Sequence, residues 1–280
     1  MNARLSRVKV RQARPDDLEA YLQLQQKSWG EEMAVARNRA EIRFENCLDG
    51  ILMAEVDGEV VGTTTMIKLL TYDLEQPKSW DQTTDEGWCT THDPKGSIGF
   101  GVDLSARGAR ILGAVDALMV ACMAKTIRWG VEYTVLGARM PGFAEWLDQH
   151  THQNEQEAAR EYLFGRKANG EYLDTEIQMY SVIPGNRLLR LIPNYFEDPK
   201  SHNYGALFRW GNPVYRLRWI PGSRRVFARV PPLALRAWSY FEHRKTRKQV
   251  AAPVPVPTPM NMPTPRALSR EPVPGEFGQS

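Results

Sequence analysis

Residues 51 to 67 read ILMAEV, then Asp57-Gly58, then EVVGTTTMI. Two apolar runs rich in β-branched residues flank an Asp-Gly pair. That pair supplies the positive-φ positions of a tight hairpin turn, so Ile51 to Ile67 is predicted to be two antiparallel strands. Any fold for this chain must be built around that hairpin. Before it, VKVRQAR from Val8 to Arg14 alternates as a strand does. Pro15-Asp16-Asp17 stops this strand and opens a helix, with acids in the first turn where the helix dipole favours them. Leu18, Tyr21, Leu22 and Leu24 follow at helical spacing to about Trp29, and a second helix is expected from Glu31 to Cys47.

After the hairpin, residues 70 to 97 are polar and punctuated by Pro77, Trp80, Trp88 and Pro94, which reads as a long irregular insertion of the kind that often serves function. Ser97 to Ser105 is a strand, about Gly113 to Gly130 a helix, and Tyr133 to Leu136 a strand again. This is a βαβ unit. A helix is expected over Asn154 to Phe164, and strands over Glu176 to Ile183 and Tyr204 to Trp210. The class is α+β, or mixed α/β, with a largely antiparallel central sheet around the βαβ unit.

Composition narrows the setting. Hydrophobic residues make up 42% and charged residues 25%, the balance of a soluble globular chain. No run of about 18 apolar residues exists to span a membrane, and the N-terminus lacks the apolar core of a secretion signal. Cys47, Cys89 and Cys122 lie too far apart for a zinc motif and are odd in number, so free thiols in the cytoplasm and no metal site are expected. From Arg216 to Lys248 ten arginines and lysines face one acid, Glu242, while the rest of the chain is net acidic. Such an arm attracts acidic partners. Leu233 to Val250 within it is helical in composition, and eight prolines after Val250 argue for an extended tail. The expected organisation is 1–210 as the main domain, 211–250 as a basic arm with a helix and 251–280 as a Pro-rich tail.

The chemically informative stretch is GFGVDLSARGARILGAVDALMVACMAKTIRWG. A strand runs through a glycine-bearing turn into a helix, whose first N–H groups have no partners within the helix and whose dipole end is positive. A diphosphate can sit there if side chains leave room. Gly108 and Gly113 leave room, and Arg107 and Arg110 add charge. Taken alone, this pattern equally describes a glycine that merely permits a turn.

At this point the chain from about Val8 to Trp210 resembles the GNAT superfamily of N-acyltransferases. The family signature, Arg or Gln, two residues, Gly, one residue, then Gly or Ala, reads here Arg110-Ile111-Leu112-Gly113-Ala114-Val115. More narrowly, the chain is similar to GNAT domains found beside or fused to nitrilase-like proteins. The matching segments are His92-Asp93-Pro94-Lys95-Gly96, Gly101-Val102-Asp103-Leu104-Ser105, Arg139-Met140-Pro141-Gly142-Phe143 and Leu191-Ile192-Pro193-Asn194-Tyr195, with Asp198, Gly205 and Trp210.

The resemblance implies an acyl thioester donor, either acyl-CoA or an acyl-phosphopantetheine on a carrier protein, and an amine acceptor on a small molecule or peptide. Leu104, Ser105 and Ala106 would meet the pantetheine arm, and the backbone N–H groups of Ile111, Leu112, Gly113, Ala114 and Val115 would hold the pyrophosphate beside Arg110. Val115 departs from the pattern, and the loop before Arg110 is one residue short. Both motivate a carrier-bound donor or a catalytically silent thioester-binding module. A thioester decarboxylase or hydrolase on the same fold is the further alternative. Candidate acid and base groups are Asp103 on the strand, His92 at its turn, Tyr195 and Glu145, each with a structural reading beside it. Trp80 and Trp88 are candidate pocket walls. The 216–248 arm has three readings: a face docked on the body, a site for an acidic carrier protein, and a membrane surface. A fatty acyl donor fits the last.

Overall fold

A computed structural model describes residues 8–107 and 111–230. Arg110, the helix expected at 233–250 and the Pro-rich tail lie outside the described residues. The hairpin forms as β2 (Ile51–Val56) and β3 (Glu59–Leu69), paired antiparallel with Ile51 opposite Thr65. Asp57 and Gly58 both take positive φ, 53° and 88°, the combination that turns two strands back without splaying them. β1 (Lys9–Gln12) pairs antiparallel with β2, and β4 (Ile98–Ala106) antiparallel with β3. β5 (Tyr133–Arg139) is parallel to β4. β7 (Gly205–Gly211) and β6 (Asn186–Ile192) complete a seven-stranded sheet in the order β1-β2-β3-β4-β5-β7-β6. The expected class, a mixed sheet with one parallel crossover, is the class observed.

Helices cover both faces. On one lie α1 (Leu18–Met33) and α2 (Arg37–Cys47), with Tyr21, Ala40 and Phe44 packed on Ile51 and Met53. α1 breaks at Gly30, whose φ of 79° and ψ of 174° are not helical, which is why two helices are legible on either side of Trp29. The insertion packs on the same face. It contains one helical turn, α3 (Trp80–Thr84), capped by Ser79 through the N–H of Gln82. On the opposite face α4 (Ile111–Trp129) buries Ala114 and Leu118 against Leu52 and Ala54. α5 (Phe143–Asp148), α6 (Glu155–Phe164) and α7 (Thr175–Ser181) follow β5 and contribute Phe143, Leu163 and Ile177 to a second core with Phe208. α8 (Ser223–Phe227) packs against α4.

One expected element changes type. Glu176 to Ile183 is predicted as a strand because polar and apolar residues alternate there, but the chain is helical from Thr175 to Ser181. The Asp174 side chain accepts from the N–H groups of Glu176 and Ile177, and this cap starts a helix whose Ile177 and Tyr180 share a buried side at i, i+3. The strand of this region is β6, ten residues later at its start.

Candidate active site

β4 and β5 are paired only from Ile98–Gly101 to Tyr133–Leu136. Beyond Gly101 the register with β3 continues to Ala106, so residues 102–106 keep one strand neighbour and part from β5. The parting coincides with a β-bulge. Thr65 faces Asp103 and Met66 faces Gly101, so Val102 is the extra residue. A bulge turns two successive side chains to one face. Val102 joins the core beneath the insertion, Asp103 meets α1 and α2, and Leu104 returns to the α4 face.

A cavity of about 800 Å³ occupies this splay. One wall belongs to α4 and α7, through Val115, Met119, Met123 and Met179, with Leu104 and Leu136 from the strands. The other belongs to the α1–α2 side and the insertion, through Trp29, Arg39, Arg43, Trp80 and Asp81. Arg139, Glu176 and Tyr195 also line it. Most of its first wall is apolar and its second wall is charged.

Two indoles brace the diverging strand. Trp80 Nε1 donates to the carbonyl of the bulged Val102 at 2.7 Å, and its backbone N–H donates to Tyr195 O at 2.7 Å. Trp29 Nε1 donates to Ser105 Oγ at 2.6 Å, and the Arg139 guanidinium lies 4.9 Å from its ring centroid. Arg139 is held in turn by Glu176 at 3.1 Å and Asp198 at 3.3 Å. The Arg-x-Pro-Gly and Asp198 segments quoted above therefore meet in space. Burial raises the Glu176 carboxyl above its ordinary range, opposed by Arg139.

The candidate residues separate on this frame. The Asp103 carboxylate lines the cavity and is engaged at both oxygens: Oδ2 accepts from Arg43 at 2.8 Å and from Tyr21 at 3.3 Å, and Oδ1 accepts from the Thr65 N–H at 3.1 Å. It sits as the counter-ion of Arg43, only 3% exposed, rather than as an unengaged base. His92 Nδ1 accepts from the Lys68 N–H at 3.0 Å and lies off the cavity, where burial lowers its pKa. It ties the insertion to β3. Glu145 is exposed on α5 and also off the cavity. Trp80 is a wall, whereas Trp88 stacks under Arg39 outside it.

Tyr195 lies in the splay. Its ring rests on two glycines: a Cβ built on Gly137 would stand 1.9 Å from Tyr195 Cζ, and one on Gly205 would stand 2.4 Å from Cδ1. Its hydroxyl donates to Gly137 O at 3.4 Å, and burial holds its pKa well above the tyrosine value. The hydroxyl therefore keeps its proton at ordinary pH. Gly137→Ala is expected to displace the ring and cost about 2 kcal/mol, read as a lower urea midpoint. An unchanged midpoint would mean the ring is not seated there.

Of the donor-binding candidates, Leu104 and Ala106 face α4, while Ser105 turns to the other side and accepts from Trp29. Ala114 is packed into the core, and Val115, 6% exposed, lines the cavity wall. A Cβ on Gly113 would find only Val8 Cγ2, at 3.8 Å. Among the described residues, none crowds a Cβ at Gly113 in the first turn of α4, and an anion cradle needs such room. Glu176, Arg139 and Trp29 were not among the sequence candidates. The Arg-x-Pro-Gly segment was the only signal that pointed toward them. Among the described residues, no group of three or more His, Cys, Asp or Glu is placed to hold a metal, and no helix is long and apolar enough to cross a membrane.

No family model matches the chain. It is 25% identical over 213 residues to the uncharacterised N-acetyltransferase YkwB of Bacillus subtilis, spanning 74% of this chain and 90% of YkwB. It is 22% identical over 208 residues to the probable hydrolase YhcX of the same organism, spanning 74% of this chain but 39% of YhcX. Among solved structures it resembles the GphF GNAT-like decarboxylase in complex with isobutyryl-CoA, with a TM-score of 0.60 and 19% identity over 73% of this chain and 99% of the other. It also resembles the loading GNATL domain of CurA from Lyngbya majuscula, with a TM-score of 0.58 and 17% identity over 73% and 98%. The fold is GNAT-like, and YkwB supports the same superfamily.

Proposed function

Starting from a GNAT-like fold with a cavity through its splay, we propose that this chain is an N-acyltransferase that takes an acyl thioester between β4 and β5 and passes the acyl group to a primary amine. The observation that carries the reading is the parting of the two parallel strands at the Val102 bulge, opening onto a cavity with one apolar and one charged wall. The thioester is a substrate here. The backbone of residues 102–106 and the first turn of α4 would hold its pantetheine and phosphate portions, and the methionine-lined wall would take the acyl chain. Three methionines make an adaptable apolar surface, which supports an acyl group longer than acetyl. Acyl-CoA and a carrier-bound donor share these contacts. The match to 39% of the probable hydrolase YhcX fits, without showing, a likeness to GNAT domains beside or fused to nitrilase-like proteins.

The chain's own groups then divide the work. Holding amine and thioester together supplies most of the acceleration in such a reaction. Glu176 accepts the ammonium proton, directly or through water, because burial keeps its carboxyl more basic than usual. Arg139 fixes Glu176 and prevents it from swinging away. The amine nitrogen bonds to the thioester carbon, the C–S bond breaks, and the remaining excess amine proton passes to the departing thiolate through the Tyr195 hydroxyl, which gives one proton and takes up the other. Glu176 must be ionised to act, so kcat/KM is expected to fall as pH drops through its raised pKa. That fall should begin at higher pH than an ordinary glutamate of about 4.3 would give. Glu176→Gln should remove this acid limb and Asp81→Asn should keep it. A limb unchanged in Glu176→Gln would assign the base elsewhere.

A second reading, thioester decarboxylation, is favoured by the likeness to the GphF decarboxylase and by Arg39 on the charged wall, which would attract a carboxylate on the acyl group. The two are separated by thiol release from acyl and malonyl thioesters with and without amine. Transfer requires amine and yields an amide. Carbon dioxide release from malonyl thioester without amine would replace the first reading with the second.

A further inference from the structure

We propose that residues 215–230 form a docking surface for anionic lipid membranes. The segment leaves β7, turns through Tyr215–Leu217 and ends in α8 against the C-terminal end of α4. Ten large hydrophobic residues are exposed among the described residues, and five of them fall between 217 and 230. Trp219 is 76% exposed, and Leu217, Ile220, Val226 and Val230 accompany it. Scattered exposed apolar residues are ordinary, but an aromatic and four aliphatic residues in one short segment mark an interaction surface.

The charge around them has one sign. Arg218, Arg224, Arg225 and Arg229 from this segment and Arg128 from α4 line a single hollow of about 770 Å³, floored by Trp219, Ile220 and Gly222. No acid occurs between Gly211 and Val230. Arg218 stacks on Tyr215 and Trp219 at 3.6 and 4.4 Å, and Arg224 reaches the carbonyl of Trp129 at 3.4 Å. None of the five makes an ion pair with a carboxylate among the described residues. Like charges gathered without counter-charge repel one another, and an anion in the hollow removes that repulsion.

The anion is a lipid headgroup phosphate rather than a soluble one because of what surrounds it. Guanidinium forks match phosphate oxygens, and an indole with neighbouring aliphatics gains by entering the headgroup and acyl boundary. A soluble phosphate would use the arginines and leave the apolar rim in water. Each basic residue near an anionic leaflet strengthens binding several-fold, and salt weakens it. The sequence just beyond, with Trp238, Tyr240, Phe241 and further basic residues, has the same composition. The surface is at the far end of α4 from Gly113, about 25 Å away by helical rise, so it is separable from the cavity.

The test is co-sedimentation of the full chain with phosphatidylcholine vesicles and with equimolar phosphatidylcholine and phosphatidylglycerol vesicles. Binding is expected to the second and not the first, and to weaken with salt. The variant R224E/R225E/R229E should bind at least tenfold more weakly, and Trp219→Ala should also weaken binding at low salt. In wild type the tryptophan emission should shift to shorter wavelength on binding. These side chains are on the surface, so both variants should keep the wild-type far-ultraviolet spectrum and melting temperature. Absence of binding to the anionic vesicles would overturn the proposal. Binding unchanged in both variants, or stabilisation by inorganic phosphate alone without vesicle binding, would do the same. Retention of an acidic soluble protein by the arginines, with vesicles ignored, would assign the surface to that partner instead.

Discussion

Replacing Arg43 with alanine is expected to cost about 4 kcal/mol of folding stability, a large share of the roughly 5–15 kcal/mol that holds a domain together. The guanidinium is buried and pairs with Asp103 at 2.8 Å. It also donates to Tyr21 Oη at 3.0 Å and to the carbonyl of Gly87 in the insertion. One side chain thus ties α2, β4, α1 and the insertion together. Removing it leaves the Asp103 carboxylate buried without its counter-ion, with only the Tyr21 hydroxyl and the Thr65 N–H as donors. Lysine does not substitute, because a point charge cannot serve three acceptors in fixed directions. The double variant Arg43→Met, Asp103→Leu removes both charges and should be more stable than Arg43→Ala. Urea unfolding of the variants checks this. A loss below about 1 kcal/mol for Arg43→Ala would mean the pair is solvated and the account of Asp103 as a counter-ion is wrong.

The second large effect separates binding from folding. Gly113 is the third residue of α4. Gly113→Asp replaces the worst ordinary helix former, has room for a Cβ, and puts a negative charge where the helix dipole welcomes one. The variant should therefore melt at or above the wild-type temperature. A donor phosphate held by the same turn would meet a like charge at close range, a penalty of a few kcal/mol, so donor affinity should fall by about 100-fold or more. Opposite signs in melting and affinity cannot come from misfolding. Undiminished affinity for acyl-CoA in this variant would remove the first turn of α4 from the donor site.

Much of the frame was legible because short-range rules carry it. The Asp57-Gly58 turn, the alternation of β1 and the apolar stripe of α4 are local signals, and together with the βαβ unit they place the splay. What escaped the sequence depends on distance or on one inserted residue. Alternation puts Asp103 on the face opposite Val102, but the bulge turns both the same way and brings Asp103 to Arg43, 60 positions earlier. Nothing local announces that partner, so the sequence offers Asp103 as a candidate base and does not show the three donors that reach its carboxylate. Glu176 was hidden differently. Its period-2 surroundings read as a strand, but the Asp174 cap makes them a helix, and that helix carries it to Arg139 and the cavity. Tyr195 was named from its segment alone. Its seat on Gly137 and Gly205 required the pairing of β5 with β7, which no sequence period reports.

The most direct measurement is backbone amide exchange of the full chain with and without a non-hydrolysable thioether analogue of a medium-chain acyl-CoA. Donor lying along the diverged part of β4 and under the start of α4 should slow exchange at residues 102–106 and 111–115. The β2–β3 hairpin should be unchanged. Binding with protection elsewhere, or saturating analogue with no protection at either segment, would contradict a thioester site in the β4–β5 splay.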